Sequence, residues 1–149
     1  MNISQATNKQ KIILSTTWIF YLFNILYADV LTLMEGMSTK ADEGITDTVA
    51  ILLTPEMLLI AAVLLETAFV MIILSRVLKY SANRRLNITF GALHTAAVTG
   101  SLFVATPAIY YVFFATIEIT TSLFIVWYAW TWSEAENTSI EQNLQEEVN

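Results

Sequence analysis

The sequence predicts an all-α integral membrane protein, a four-helix bundle with antiparallel neighbours. Three observations carry this. The 149 residues are 56% apolar and only 13% charged, outside the usual soluble range. Four apolar runs follow one another, each long enough for a bilayer of roughly 30 Å at about 1.5 Å per residue. Lysine and arginine gather beside alternate connections, which is the charge bias that orients multi-pass proteins.

In chain order, residues 1–11 form a polar lead-in that ends on Lys9 and Lys11. The first run, 12–34, is too long for a signal-peptide core and no small-residue cleavage site follows it. A break to Thr54 carries Gly36, Lys40, Asp42, Glu43, Gly44 and Asp47. Its part 48–53 is apolar enough to lie in the membrane interface. Thr54-Pro55-Glu56 is a helix start, with a capping hydroxyl, proline in the first turn and an acid at the positive dipole end. The second helix is expected over 55–78 and the third over 86–105, separated by a basic turn with Arg76, Lys79, Arg84 and Arg85. Thr106-Pro107 repeats the start signal for a fourth helix, 107–132. The tail 133–149 holds five Glu and no base, the composition of a solvated segment.

The counts of Lys and Arg put both termini and the basic turn on the cytoplasmic side. Trp127, Trp130 and Trp132 are expected in one aromatic belt, Tyr110 and Tyr111 toward the other. The four basic residues suit anionic lipid headgroups. Cysteine is absent, so thiolate catalysis and Cys-based metal motifs are excluded. The acidic balance and the small basic cluster exclude nucleic acid as a partner.

Polar residues inside the runs carry the functional argument, because an ionisable group at membrane depth is a functional-site hypothesis by default. Counted from the ends of their helices, Asn24, Glu66 and Glu118 lie about ten residues deep and His94 about twelve. Asp29 sits one turn shallower. A shared polar layer is therefore expected, with Glu66 and Glu118 facing one another across the interior and sharing a proton, since two nearby anions in low dielectric repel and lose hydration. His94 is expected to donate to one of the glutamates. The alternative for both glutamates is structural, a neutral hydrogen bond holding the helices in register. Asp29 either snorkels to the surface or gates the layer. A metal site is disfavoured, because the single histidine and the glutamates lack a Glu-x-x-His spacing. Ala92, Ala96 and Gly100 form a small-residue seam expected to pack within the bundle.

The stretches IILSTTWIFYLFNILYADVL, LLETAFVMIILSRVLKYSANRRLNI and YYVFFATIEITTSLFIVWYAW resemble a small prokaryotic membrane-protein family of unknown function. Tyr27-Ala28-Asp29, Ser75-Arg76, Asn83-Arg84 and Ile117-Glu118 are the parts that carry the resemblance. It implies a four-helix fold in a prokaryotic cytoplasmic membrane, and it brings no activity, substrate or cofactor.

Three functions are compatible with these residues. The first is a membrane protein whose polar layer binds a small hydrophobic or amphipathic molecule or relays protons. The second is a structural or accessory subunit, alone as a homo-oligomer or beside another membrane protein. The third is an enzyme using glutamate and His94 as acid and base.

Overall fold

The computed structural model describes residues 3–39, 54–103 and 107–132, with side chains in the first segment from Asn8 to Gly36. Four helices occupy these segments: α1 (Ile3–Thr39), α2 (Pro55–Val77), α3 (Tyr80–Ser101) and α4 (Ile109–Thr131). The interface segment 48–53, Lys40, Thr106 and the acidic tail lie outside the described residues. Three of the helices, α1 over Asn8–Gly36, α2 and α4, are long and apolar enough to cross a bilayer. This is a multi-pass membrane architecture.

Pairs of residues give the packing direction. Ser15 reaches Ile72, Ser75 reaches Asn87, Thr67 reaches His94, and Thr95 reaches Ser122. Rising numbers on one helix meet falling numbers on the next, so sequential neighbours are antiparallel. Tyr110 on α4 likewise meets Thr32 on α1. Diagonal α1 and α3 meet at the centre and run parallel, through Trp18 with Asn87 and Tyr21 with His94.

Several boundaries differ from the sequence reading. The chain is already helical at Ile3, so the polar lead-in forms the first turns of a 37-residue helix. The basic turn shrinks to Leu78 and Lys79, both extended, and α3 starts at Tyr80 rather than at 86. Asn83, read as turn, becomes a fully buried residue of α3. Pro107 precedes α4 by two residues and Ala108 is its cap, with no side-chain bond.

α3 is the most polar helix, and the structure accounts for that. Its buried residues are Asn83, Asn87, Gly91 and His94, spaced on one face at i, i+4, i+8 and i+11. Its polarity is turned inward, where partners replace water. On the outer surface Thr99, Thr116 and Thr120 return their hydroxyls to the carbonyl four residues earlier, which satisfies them without water.

The core lies toward the end where α2 turns into α3. Leu14, Trp18, Met71, Ile125 and Ala129 fill it, and Trp132 closes it. Trp132 is therefore no belt residue: it is 2% exposed, edge-on to Tyr80. Trp127 and Trp130 remain on the surface. Tyr80 donates to the Trp132 carbonyl at 2.7 Å and Arg84 to the Trp130 carbonyl at 3.2 Å, so the start of α3 satisfies carbonyls that the end of α4 leaves orphaned.

Toward the opposite end the bundle loosens. Pro55 to Val63 is exposed at every position, which on a helix means every face. The buried residues of α2, Ala68, Met71 and Ser75, all lie beyond it.

Candidate functional site

Two polar assemblies fill the interior. In the first, Asn87 is the hub. Its Oδ1 accepts from Trp18 Nε1 at 2.7 Å and from Ser75 Oγ at 3.3 Å. Its Nδ2 donates to Asn83 Oδ1 at 2.6 Å and to the Asn83 carbonyl at 2.9 Å. Asn83 Nδ2 in turn donates to the Ser75 carbonyl at 2.7 Å. Side chains of three helices meet in this network, and both amide protons of Asn87 are spent on Asn83, an arrangement suited to structure rather than chemistry.

The second assembly is centred on His94, 1% exposed. Trp18 and Tyr21 meet its ring edge-on at 5.3 and 5.2 Å. Its Nε2 lies 3.0 Å from Thr67 Oγ1 and its Nδ1 3.1 Å from Tyr21 Oη. Thr67 sends its one proton to the Leu64 carbonyl at 2.7 Å. A neutral imidazole is then protonated at Nε2, donates to Thr67, and accepts from Tyr21 at Nδ1. The expected glutamate partner of His94 is replaced by a threonine and a tyrosine.

Glu118 faces the interior from α4, on the stripe of Ala115, Ser122, Ile125 and Ala129. It is 7% exposed and accepts no hydrogen bond among the described residues. Its oxygens are nonetheless not sealed off. Among the described residues the one fully occluded side-chain polar atom without a partner is Arg84 Nε. Tyr21, Tyr111 and Asp29 are close enough to interact electrostatically with Glu118.

The other expected members do not join. Glu66 is exposed on α2, about 16 Å from either end of that helix at the α-helical rise, and does not face Glu118. Asn24 turns its amide back to the Phe20 carbonyl at 2.9 Å. Asp29 is exposed on α1. Among the described residues no three carboxylate or imidazole side chains come together, so Glu66, His94 and Glu118 form no metal-ligand set. Arg76, Lys79 and Arg85 are exposed, whereas Arg84 lies over Trp130 at 6.0 Å and is drawn into capping α4.

Sequence reasoning missed Trp18, Thr67, Ser75 and Asn83 as interior partners; Tyr21 was expected on the face of Asn24, not as a partner of His94. The detectable signal was the spacing of Asn83, Asn87 and His94, which already defines one face of α3. Two lateral grooves flank the interior. One, about 370 Å³, lies between α1 and α4 and is lined by Thr16, Thr17, Phe20, Thr120, Thr121 and Phe124. Thr121 is one turn from Glu118. The other, about 540 Å³, contains Ala92, Ala96 and Gly100. The small-residue seam thus faces outward, not into the bundle.

A family described only as one of unknown function, DUF6326, matches residues 1–139. No curated protein and no solved structure matches the chain.

Proposed function

We propose that the chain, which belongs to this family of unknown function, binds a small amphipathic molecule inside the membrane, with Glu118 holding its polar head. The observation that carries this reading is a carboxylate that is 7% exposed yet has no hydrogen-bond partner among the described residues. An ionisable group at membrane depth that no described protein group bonds calls for a reason. A ligand donor supplies one. The groove reached through Thr121 offers room for an apolar tail, and the loose packing around Pro55–Val63 offers an approach.

Binding is favoured over proton relay. A relay needs titratable or hydroxyl groups on both sides of Glu118. Toward the core end the next hydroxyls, Thr121, Ser122 and Thr95, send their protons to the Ile117, Ile119 and Gly91 carbonyls of their own helices, so none is free to pass one on. Glu118→Leu separates the readings. No interhelical hydrogen bond is lost, so thermal stability should be unchanged or higher. Mass spectrometry of small molecules co-purified in nanodiscs should find a species in the wild type that Glu118→Leu lacks. The same complement in both proteins, or a destabilised variant, would count against a ligand-holding glutamate.

A second reading, the accessory or self-associating subunit, draws on Glu66 and the outward seam. An exposed acid halfway along an apolar span, and small residues that let helices approach, both suit another membrane helix. In either reading α3 also crosses the bilayer, lying between α2 and α4 with its polar face inward, and both termini share the cytoplasmic side of a prokaryotic membrane. Reporter fusions after Met37 and after Ser133 should then report opposite compartments. The same compartment for both would remove a span.

A further inference from the structure

α2 is the span that its own bundle covers least. In its most apolar stretch 11% of the residues are buried, against 22% in α1 and 28% in α4. Glu66 stands on the bare side, halfway along, and makes no hydrogen bond among the described residues. Hydrocarbon offers this carboxyl no water, so its partner must come from beyond these four helices. The residues around it form one stripe. At 100° per residue Leu59, Ala62, Val70, Ile73 and Val77 all point within about 40° of Glu66, and all are exposed. Leu59 and Ile73, each 65% exposed, stand seven residues to either side of it. That repeat of seven is the period that keeps one seam of two crossing helices in contact.

We infer that this face of α2 is the contact surface for a second copy of the chain, paired about a twofold axis with Glu66 against Glu66. Two copies inserted the same way present parallel α2 helices. In a parallel pair the central seam residue meets its own equivalent, so a partner carboxyl arrives at the matching depth by symmetry. A neutral carboxyl is donor and acceptor at once, and two of them satisfy each other with reciprocal hydrogen bonds. The pair also fixes register, as a single polar residue does in a coiled-coil seam. Ala62 on the same stripe lets the two backbones approach beside it. A different membrane protein would need a polar group of its own at that depth.

This deepens the self-associating reading and is independent of any ligand at Glu118. The chain has no cysteine, so single substitutions report contacts directly. Full chains in phosphatidylcholine–phosphatidylglycerol vesicles, oxidised with copper phenanthroline, should give covalent dimers from Leu59→Cys and from Ile73→Cys. Leu123→Cys, 51% exposed beside the outward seam, should stay monomeric. Energy transfer between chains labelled at the amino terminus, followed as lipid dilutes the protein, measures the affinity. Glu66→Leu should weaken association about tenfold, the scale of intramembrane hydrogen bonding. Glu66→Gln, which donates and accepts in the same place, should stay within about threefold of the wild type. Both changes are on the surface, and thermal melts check that each variant folds. Undiminished association of Glu66→Leu would overturn the carboxyl pair. Cross-linking through Leu123→Cys and not Leu59→Cys would overturn the α2 surface and leave self-association standing. Wild-type chains that stay monomeric at every dilution would overturn both, whatever the ligand experiments at Glu118 return.

Discussion

Replacing Asn87 with leucine should cost the bundle about 2–6 kcal/mol, because two buried neutral groups lose their partner at roughly 1–3 kcal/mol each. The two are Trp18 Nε1–H, bonded to Asn87 at 2.7 Å, and Asn83 Oδ1, bonded at 2.6 Å. Ser75 also loses a bond, at 3.3 Å, but its hydroxyl can rotate to a backbone carbonyl of its own helix. Intramembrane hydrogen bonds average less than this, since helices separated in a bilayer find other partners. The stranded groups here are different, being fully buried and fixed by three helices. Reversible unfolding in mixed micelles would measure the loss. Trp18→Phe combined with Asn87→Leu should recover part of it, because the stranded indole donor is gone. An Asn87→Leu protein as stable as the wild type, or a double variant with the two losses simply added, would show that the network is not the brace proposed.

How this interior relates to the sequence is instructive. Depth along each helix was legible, because rise per residue is fixed, and Glu118 and His94 do lie inside the bundle. Azimuth was not read on α2. Counting ten residues from an end places Glu66 level with Glu118 but says nothing about the direction it points. The inward face of α2 is set by Ala68, Met71 and Ser75, and Glu66 stands about 200° round from Ala68 at 100° per residue. The small and hydroxyl residues Thr67, Ala68 and Ser75 carried that information in the sequence, as Asn83, Asn87 and His94 did for α3.

His94 shows a second limit. Its place in the polar layer followed from its depth, but its partner was assigned by charge, and the geometry chose by proximity. Trp18 and Tyr21 occupy the centre, so His94 reaches a phenol and a threonine. Aromatic residues in an apolar run read as bulk; their N–H and O–H groups become visible only when a facing helix supplies the acceptor. The turn between α2 and α3 was misread for a similar reason. Tyr80 to Asn83 is polar enough for a loop, yet Tyr80 and Asn83 find partners at Trp132 and Ser75, and those contacts reward continuing the helix.

The other large effect is expected at Gly91, where α3 packs tightly against α4. A Cβ there would stand 2.7 Å from Val126 Cγ2 and 3.3 Å from the Ser122 carbonyl oxygen. Valine in a helix has little rotamer freedom, so the methyl cannot simply swing away. Gly91→Ala should therefore destabilise by about 1–3 kcal/mol, the usual range for overpacking. Gly91→Leu should do worse, because its side chain must displace the α4 backbone and with it the Thr95–Ser122 bond of 2.7 Å. Gly100 provides the contrast on the same helix. A Cβ there meets nothing within 4 Å, so Gly100→Ala should cost nothing, and helix propensity favours alanine over glycine by up to about 1 kcal/mol. The clash can also be relieved from the other side. Val126→Ala removes the nearer atom and leaves only the 3.3 Å approach to Ser122, which a shift of a few tenths of an ångström accommodates. Gly91→Ala with Val126→Ala should then be more stable than the sum of the two single changes. Strict additivity, or equal stability of Gly91→Ala and Gly100→Ala, would mean that α3 and α4 do not approach at this point and that the geometry bringing His94 to Tyr21 has some other cause.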